Sequence, residues 1–502
     1  MLIRGGKTVL VGCDELVDRD ILIGDGLIKR IAPHDSISTA DSILDASGCV
    51  VMPGLIDAHV HAEWAVFDPD LAESIIRQGV TTVIVGQDGS SVTSNDSRTI
   101  AYMAEYFGPI NGRAITKTYS LADYLDFVDK ESFLNVGFLI PNGNIRHAVI
   151  GSQERKASKD EMRAMVRLLE QGLYEGALGM SSGLEYVPSR FASEAEITAL
   201  CQTLTRREAV YASHMRGYGD NIELGMAEFT RVLLNSGVAG HISHLWAQRS
   251  KASNLLETAV RDGCDISFDA YPYEKGSSLL SMVALPIDVR ANQLGALLNR
   301  RFRTLTDNKI EPMSDKVVIA SVAAPEDKPL IGMTLAQAAE TRYQPVGDLV
   351  CELLYRSRLW VSVVMGRDDF DAGDSAFFLD HDLHMGCSDG IYYGDRPHPR
   401  GWAAFTSAIE HYLSRDDGWH AVVDHLSRHA SARFGLGTRG QIIEGAIADI
   451  AVFDPLQIKA NATYETPKLN SSGTRHVLIG GTPVIADGTF YPTRAGKSIR
   501  HQ

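Results

Sequence analysis

Val51-Met52-Pro53-Gly54-Leu55-Ile56-Asp57-Ala58-His59-Val60-His61 is an apolar run nearly free of charge that ends in two histidines one residue apart. Side chains alternate across a strand with period two, so a buried strand here delivers both imidazoles to one face. Two neutral imidazoles on one face form a chelating pair, the start of a divalent-metal site. Chance also delivers His-x-His, and the decision rests on what else the chain supplies.

Before this stretch, residues 1–52 are short apolar runs broken by turn signals, among them Thr8–Val11, Asp20–Ile23 followed by Gly24-Asp25-Gly26, and Leu27–Ala32. They read as hairpins with little helix. Asp449–Phe453 and Arg475–Ile485 repeat that texture. Residues 1–52 and 435–502 are therefore expected to fold together as a small discontinuous β-sandwich domain.

After it, helices and β-branched strands alternate. Val80–Gly86, Ala177–Ser181, Val210–His214, Gly240–His244 and Asp265–Tyr271 are the strands, and Ser158 with Glu161 and Ser193 with Glu196 are capping boxes that open two of the helices. This many αβ units predict an α/β fold, a closed (β/α)₈ TIM-type barrel over 53–434. Residues from about 286 to 345 break the rhythm with helices at Asn292–Arg303 and Leu335–Thr341 around a strand at Val317–Ser321. They read as a lid-like insertion, after which the barrel resumes at Leu359–Val364 and ends near Asp389.

The chain has 502 residues, 44% hydrophobic and 22% charged, enough for a large core. A net charge of −15 argues against nucleic acid or an anionic membrane as partner. The six cysteines lack CxxC spacing, which excludes a disulfide framework and a cysteine-rich zinc module. No apolar run reaches spanning length and the first residues lack a signal peptide's apolar core, so a soluble cytoplasmic protein is expected.

Barrel chemistry collects at the C-terminal ends of the strands. His59 and His61 end the first strand, Asp88 follows the second, Glu185 lies past the fourth, His214 and His244 end the fifth and sixth, and Asp389 ends the last. A lone histidine at a strand end is usually a satisfied core residue. Four of them with acids in the set point to one or two divalent ions, zinc by donor type. Such an ion activates water and polarises a carbonyl, and a carboxylate beside it accepts a proton and returns it to a leaving amine. Asp389 in Gly386-Cys387-Ser388-Asp389-Gly390 fits that part, against its reading as a turn or cap residue. Arg400 in Arg396-Pro397-His398-Pro399-Arg400, with Tyr271 and Lys275 in Tyr271-Pro272-Tyr273-Glu274-Lys275, could meet a small-molecule carboxylate or stand as solvated loops.

These motifs, with Gly79-Val80-Thr81-Thr82, Gly176-Ala177-Leu178-Gly179-Met180-Ser181-Ser182-Gly183-Leu184, Ser213-His214-Met215-Arg216, Ile242-Ser243-His244 and Gly445-Ala446-Ile447-Ala448-Asp449-Ile450, run along nearly the whole chain. Together they resemble the amidohydrolase superfamily and, within it, the N-acyl-D-amino-acid deacylases. The resemblance implies zinc-dependent hydrolysis of a linear N-acyl amide to a carboxylate and a free D-amino acid. It assigns His59 and His61 to one metal, His214 and His244 to another, and Asp389 as acid/base. A D-dipeptide, a cyclic amide or an N-acetylated amine is the nearest alternative substrate, and a non-catalytic scaffold a further one. Two departures stand out. Gln87-Asp88-Gly89 replaces the family's cysteine ligand in an Asn-Cys-Gly turn, so either Asp88 ligates as a harder donor or Glu185 bridges and Asp88 is a turn residue. Trp246 replaces a lysine that the family often uses on substrate, which implies a stacking contact there, with Tyr186 a further substrate-binding candidate.

Overall fold

Eight strands, Leu55–Asp57, Val80–Val85, Asn135–Pro141, Gly179–Gly183, Val210–His214, Gly240–Ile242, Ile266–Ala270 and His384–Gly386, pair in that order and all in parallel. The structure, a computed structural model, describes residues 1–502 except 14, 38–39, 113–117, 287–288, 417 and 502, and except the side chains of 111 and 291–292. The ring closes where Ala58 N donates to Gly386 O (3.2 Å), Asp389 N to His59 O (2.8 Å) and His61 N to Gly390 O (3.1 Å). Every residue of Val80–Val85 is buried, as a barrel strand covered on both faces requires. Ile84 packs with Ile56, Leu139, Leu178, Val210 and Met385, whereas Val83 and Val85 join the cluster between strands and helices. Among the described residues no helix is long and apolar enough to cross a membrane.

The helix Lys159–Tyr174 opens on the reciprocal Ser158–Glu161 capping box. Ser193 caps Glu194–Thr205 through the Glu196 backbone, but the expected return bond from the Glu196 side chain is replaced. That carboxylate is buried 3.5 Å from Nε of Arg146, whose fully buried guanidinium needs a counter-charge more than the cap needs its second bond.

Strands from both ends form one nine-stranded sheet, joined where Ile450–Phe453 runs antiparallel to Val50–Pro53. Alternation divides its faces. Val51, Ile450, Val452 and Leu478 pack on Ile3 and Ile21, while Val50, Met52, Ala451 and Phe453 pack on the barrel's helical layer. Val50–Pro53 passes through Gly54 into the first barrel strand, and a Cβ at Gly54 would lie 2.2 Å from Thr81 Oγ1, so only glycine fits the junction. The last described strand leaves this sheet. Ser498–Ile499 pairs with Val136–Gly137 of the third barrel strand.

The insertion is larger than its sequence suggests. Lys275–Leu279, Val361–Gly366 and Val317–Val322 form a separate antiparallel sheet with its own core of Ile319, Val361, Val363, Leu349 and Leu353. The run Leu359–Val364, expected to resume the barrel, is thus the central strand of the insertion. A β-branched run buried under helices reads the same in either sheet.

Candidate metal centre

His59 and His61 leave the first strand side by side, and Asp88 stands in the turn after the second. The φ angles there are +80° at Gly86, +55° at Asp88 and +68° at Gly89, while His244 and Asp389 sit at +36° and +46°. Non-glycine residues in this region are strained and persist where the surroundings fix them. Buried Glu63 does so here: its Oε1 accepts from Gly86 N (3.2 Å) and Ser91 Oγ (2.6 Å), on either side of Asp88. Gly89 N donates to Ser181 Oγ at 3.0 Å from the neighbouring strand.

Asp88 lies between the two histidine pairs. Its Oδ1 is 3.6 Å from His59 Nε2 and 3.5 Å from His244 Nε2, and its Oδ2 is 3.6 Å from His61 Nε2 and 3.8 Å from His214 Nδ1. Asp389 Oδ1 is 3.8 Å from His59 Nε2 and 3.5 Å from His61 Nε2. These gaps are too long for hydrogen bonds. His59 Nε2 and Asp88 Oδ1 are buried without any hydrogen-bond partner. Two ligand atoms each bound to one tetrahedral zinc lie roughly 3.3–3.6 Å apart, so the donor set fits an ion in type and in spacing. Two triads, His59–His61–Asp88 and Asp88–His214–His244, share Asp88.

Glu185 takes a different place. Its half-exposed carboxylate meets His214 Nε2 at 2.9 Å, on the side of the ring turned away from Asp88. Of the two candidates for the joining carboxylate, Asp88 is the one between the pairs.

Charge follows the same geometry. Burial pushes the Asp88 carboxyl up, but His59 and His244 outweigh it and hold it well below the usual carboxylate range. Asp389 is held low against burial by Arg400, whose Nη1 is 2.8 Å from Oδ2, and by the histidines. Burial disfavours the His61 cation, yet Asp389 and Asp88 bring its pKa up to about 10. His59 and His214 are raised likewise, whereas at His244 burial prevails and the pKa falls.

Two buried acids that the sequence reading passed over support the site. Asp269, on the seventh strand, accepts from His244 N (2.7 Å), lies 3.5 Å from His59 Nδ1 and meets His241 Nε2 at 2.8 Å. Asp57 accepts from Ser388 N (2.9 Å) and Ser388 Oγ (2.5 Å), tying the first strand to the turn of Asp389. The signal was an acid inside an otherwise apolar strand.

The substrate candidates divide. Tyr186 packs on His214 with ring centres 4.5 Å apart. The Tyr271 hydroxyl accepts from Arg400 Nη1 at 2.6 Å. Trp246 stacks under Arg367, 5.0 Å from its ring centre, and sequence reasoning did not single that arginine out. Arg400 is buried on Asp389 rather than open. Lys275 is exposed and lies 4.6 Å over the ring of Tyr464, not among the histidines.

The Amidohydrolase family profile matches residues 42–272. The D-aminoacylase of Alcaligenes xylosoxydans xylosoxydans is 30% identical over 94% of this chain and 92% of its own. Among solved structures, N-acyl-D-glutamate deacylase from Bordetella bronchiseptica, complexed with zinc and a phosphonate inhibitor, superposes with a TM-score of 0.84 at 26% identity, covering 99% of each chain. A D-aminoacylase structure addressing that enzyme's binuclear metal centre gives 0.83 at 28% identity over 100% of this chain and 99% of its own. Fold, near-complete coverage and the residues at the strand ends agree: the chain belongs to the amidohydrolase superfamily and, within it, to the N-acyl-D-amino-acid deacylases, hydrolases of amide bonds.

Proposed function

We propose that this chain hydrolyses N-acyl-D-amino acids to a carboxylate and a free D-amino acid, with one or two zinc ions at the barrel mouth. The observation that carries the reading is the set of buried donor atoms around Asp88, 3.5–3.8 Å apart and in part without hydrogen-bond partners. His59, His61 and Asp389 would hold one ion, His214 and His244 the other, with Asp88 shared. Zinc bound there supplies a Lewis acid for the acyl carbonyl and lowers the pKa of water.

The chain's own groups do the rest. Asp389 presents Oδ1 to His59 and His61 while Arg400 grips Oδ2, so the carboxylate is ionised and aimed. It accepts the proton of the attacking water and passes it to the departing nitrogen. Asp269 fixes the His59 ring and the His244 backbone, and Glu185 fixes His214, as outer carboxylates do at metal-binding histidines. Zinc-loaded protein is expected to release free amine from N-acetyl-D-amino acids and far more slowly from the L-enantiomers. Absence of D-selective turnover across such a panel would overturn the reading.

A further inference from the structure

Among the described residues, four carboxylates face the ring nitrogens of His59, His61, His214 and His244, and one of them differs from the rest. The side chains of Asp88, Asp389 and Asp269 are 7%, 9% and 0% exposed, whereas that of Glu185 is 44% exposed. The buried three are taken up by histidines, by the His244 N–H or by Arg400. Glu185 has one oxygen engaged and one left over. Oε2 meets His214 Nε2 at 2.9 Å, and no hydrogen bond or ion pair reaches Oε1 from any described residue. A carboxylate offers about four acceptor positions, so the bond to His214 leaves most of that capacity unused.

Its place gives the free oxygen a use. Glu185 follows the fourth barrel strand, Gly179–Gly183, and its bond to His214 sets it one imidazole ring away from the donor atoms around Asp88. A substrate whose amide lies among those donors therefore reaches Oε1 only through an arm several atoms long. An acceptor oxygen calls for a donor at the end of that arm, and a full negative charge, present on a half-exposed glutamate at neutral pH, calls for a cation. Within ion-pair distance Glu185 has the His214 ring and no lysine or arginine among the described residues.

We infer that the free oxygen of Glu185 receives a cationic group of the substrate, an alkylammonium or guanidinium carried at the end of such an arm. This rests on the deacylase reading above. The arm is either the side chain of the D-amino acid, as in lysine, ornithine or arginine, or an amine-bearing acyl chain, and the recognising chemistry is the same in both. Glu185 then makes two contacts, one that positions His214 and one that selects the substrate.

The test reads ratios of kcat/KM on zinc-saturated protein, because a looser hold on His214 lowers every rate alike and cancels. N-acetyl-D-lysine is paired with N-acetyl-D-norleucine, and N-(6-aminohexanoyl)-D-alanine with N-hexanoyl-D-alanine, each pair being one molecule with and without its ammonium. In one pair the cationic-to-neutral ratio of wild type is expected to exceed that of Glu185→Gln by about fivefold, with Glu185→Lys lowering it further. The pair that responds identifies the arm. Ratios that Glu185→Gln leaves unchanged in both pairs overturn the proposal. Failure of the deacylase reading shows separately, as no turnover of any of the four amides. Binding then decides, by calorimetry on zinc-loaded protein with the sulfonamide counterparts of the four compounds, which resist hydrolysis. A cationic member should gain about fivefold in relative affinity on wild type over Glu185→Gln whether or not amides are turned over, and equal relative affinities refute it.

Discussion

At the barrel mouth four histidines surround Asp88. On the outer side of the eighth strand, His384 meets His425 and His429 from the helical stretch 418–434. The second cluster is closed by ordinary bonds: His384 Nε2 to Ala270 O (3.1 Å), His384 Nδ1 to His425 Nδ1 (3.3 Å) and His429 Nδ1 to His384 O (2.8 Å). Tyr412 stacks on His425 with ring centres 5.1 Å apart. Burial drives His384 well below its ordinary pKa and His425 down to about 4. At the mouth, carboxylates reverse that trend for His59, His61 and His214. Equal burial thus gives neutral rings in one place and a demand for positive charge in the other. Carboxylates and unmet polar atoms, rather than the number of histidines, distinguish the site.

The contrast breaks most sharply at Asp389. Replacing it with Asn is expected to lower kcat about 10³–10⁴-fold while the protein stays folded, as steady-state rates and circular dichroism would show. Asp88→Ala should weaken zinc binding more than about 100-fold in chelator competition, since even outer partners of metal ligands are worth about 10–100-fold. His384→Gln, in the other cluster, should leave zinc affinity within about twofold. A comparable loss there would erase the distinction between the clusters.

The outer cluster responds to acid instead. The folded pKa of His425, about 4, lies below the unfolded value of 6.5, so between those pH values the unfolded chain holds the extra proton. Its stabilising contribution is complete above about pH 6.5 and is lost as pH falls towards about 4, to the extent of about 3 kcal/mol. Thermal melts of His425→Gln should show a shallower fall in Tm over that window than wild type. Glu185→Gln should lower zinc affinity about tenfold, a smaller effect than that of Asp88→Ala. A larger effect would move Glu185 inward to the bridging position.

Much of this was legible in the sequence. Strand ends follow from the alternation of apolar strands and capped helices, so His59, His61, His214, His244 and Asp389 could be placed on one rim of the barrel. The choice between Asp88 and Glu185 could not, because it depends on a turn at φ +55° held by Glu63, which lies 23 residues before Gly86 and carries no pattern of its own. Leu359–Val364 reads as barrel because burial pattern does not record the direction of the neighbouring strand. Arg367 escaped for the same reason: its rings come from Trp246, Tyr271 and Phe370 on separate segments.

Ser498–Ile499, paired with Val136–Gly137 on the third barrel strand, sets an order of events during synthesis. In a nascent chain that has emerged only as far as the eighth strand, that edge of Val136–Gly137 has no partner until residue 499 leaves the ribosome. A shortened chain ending before Lys497 would carry the whole metal-binding rim and still expose a strand edge, the usual starting point for aggregation.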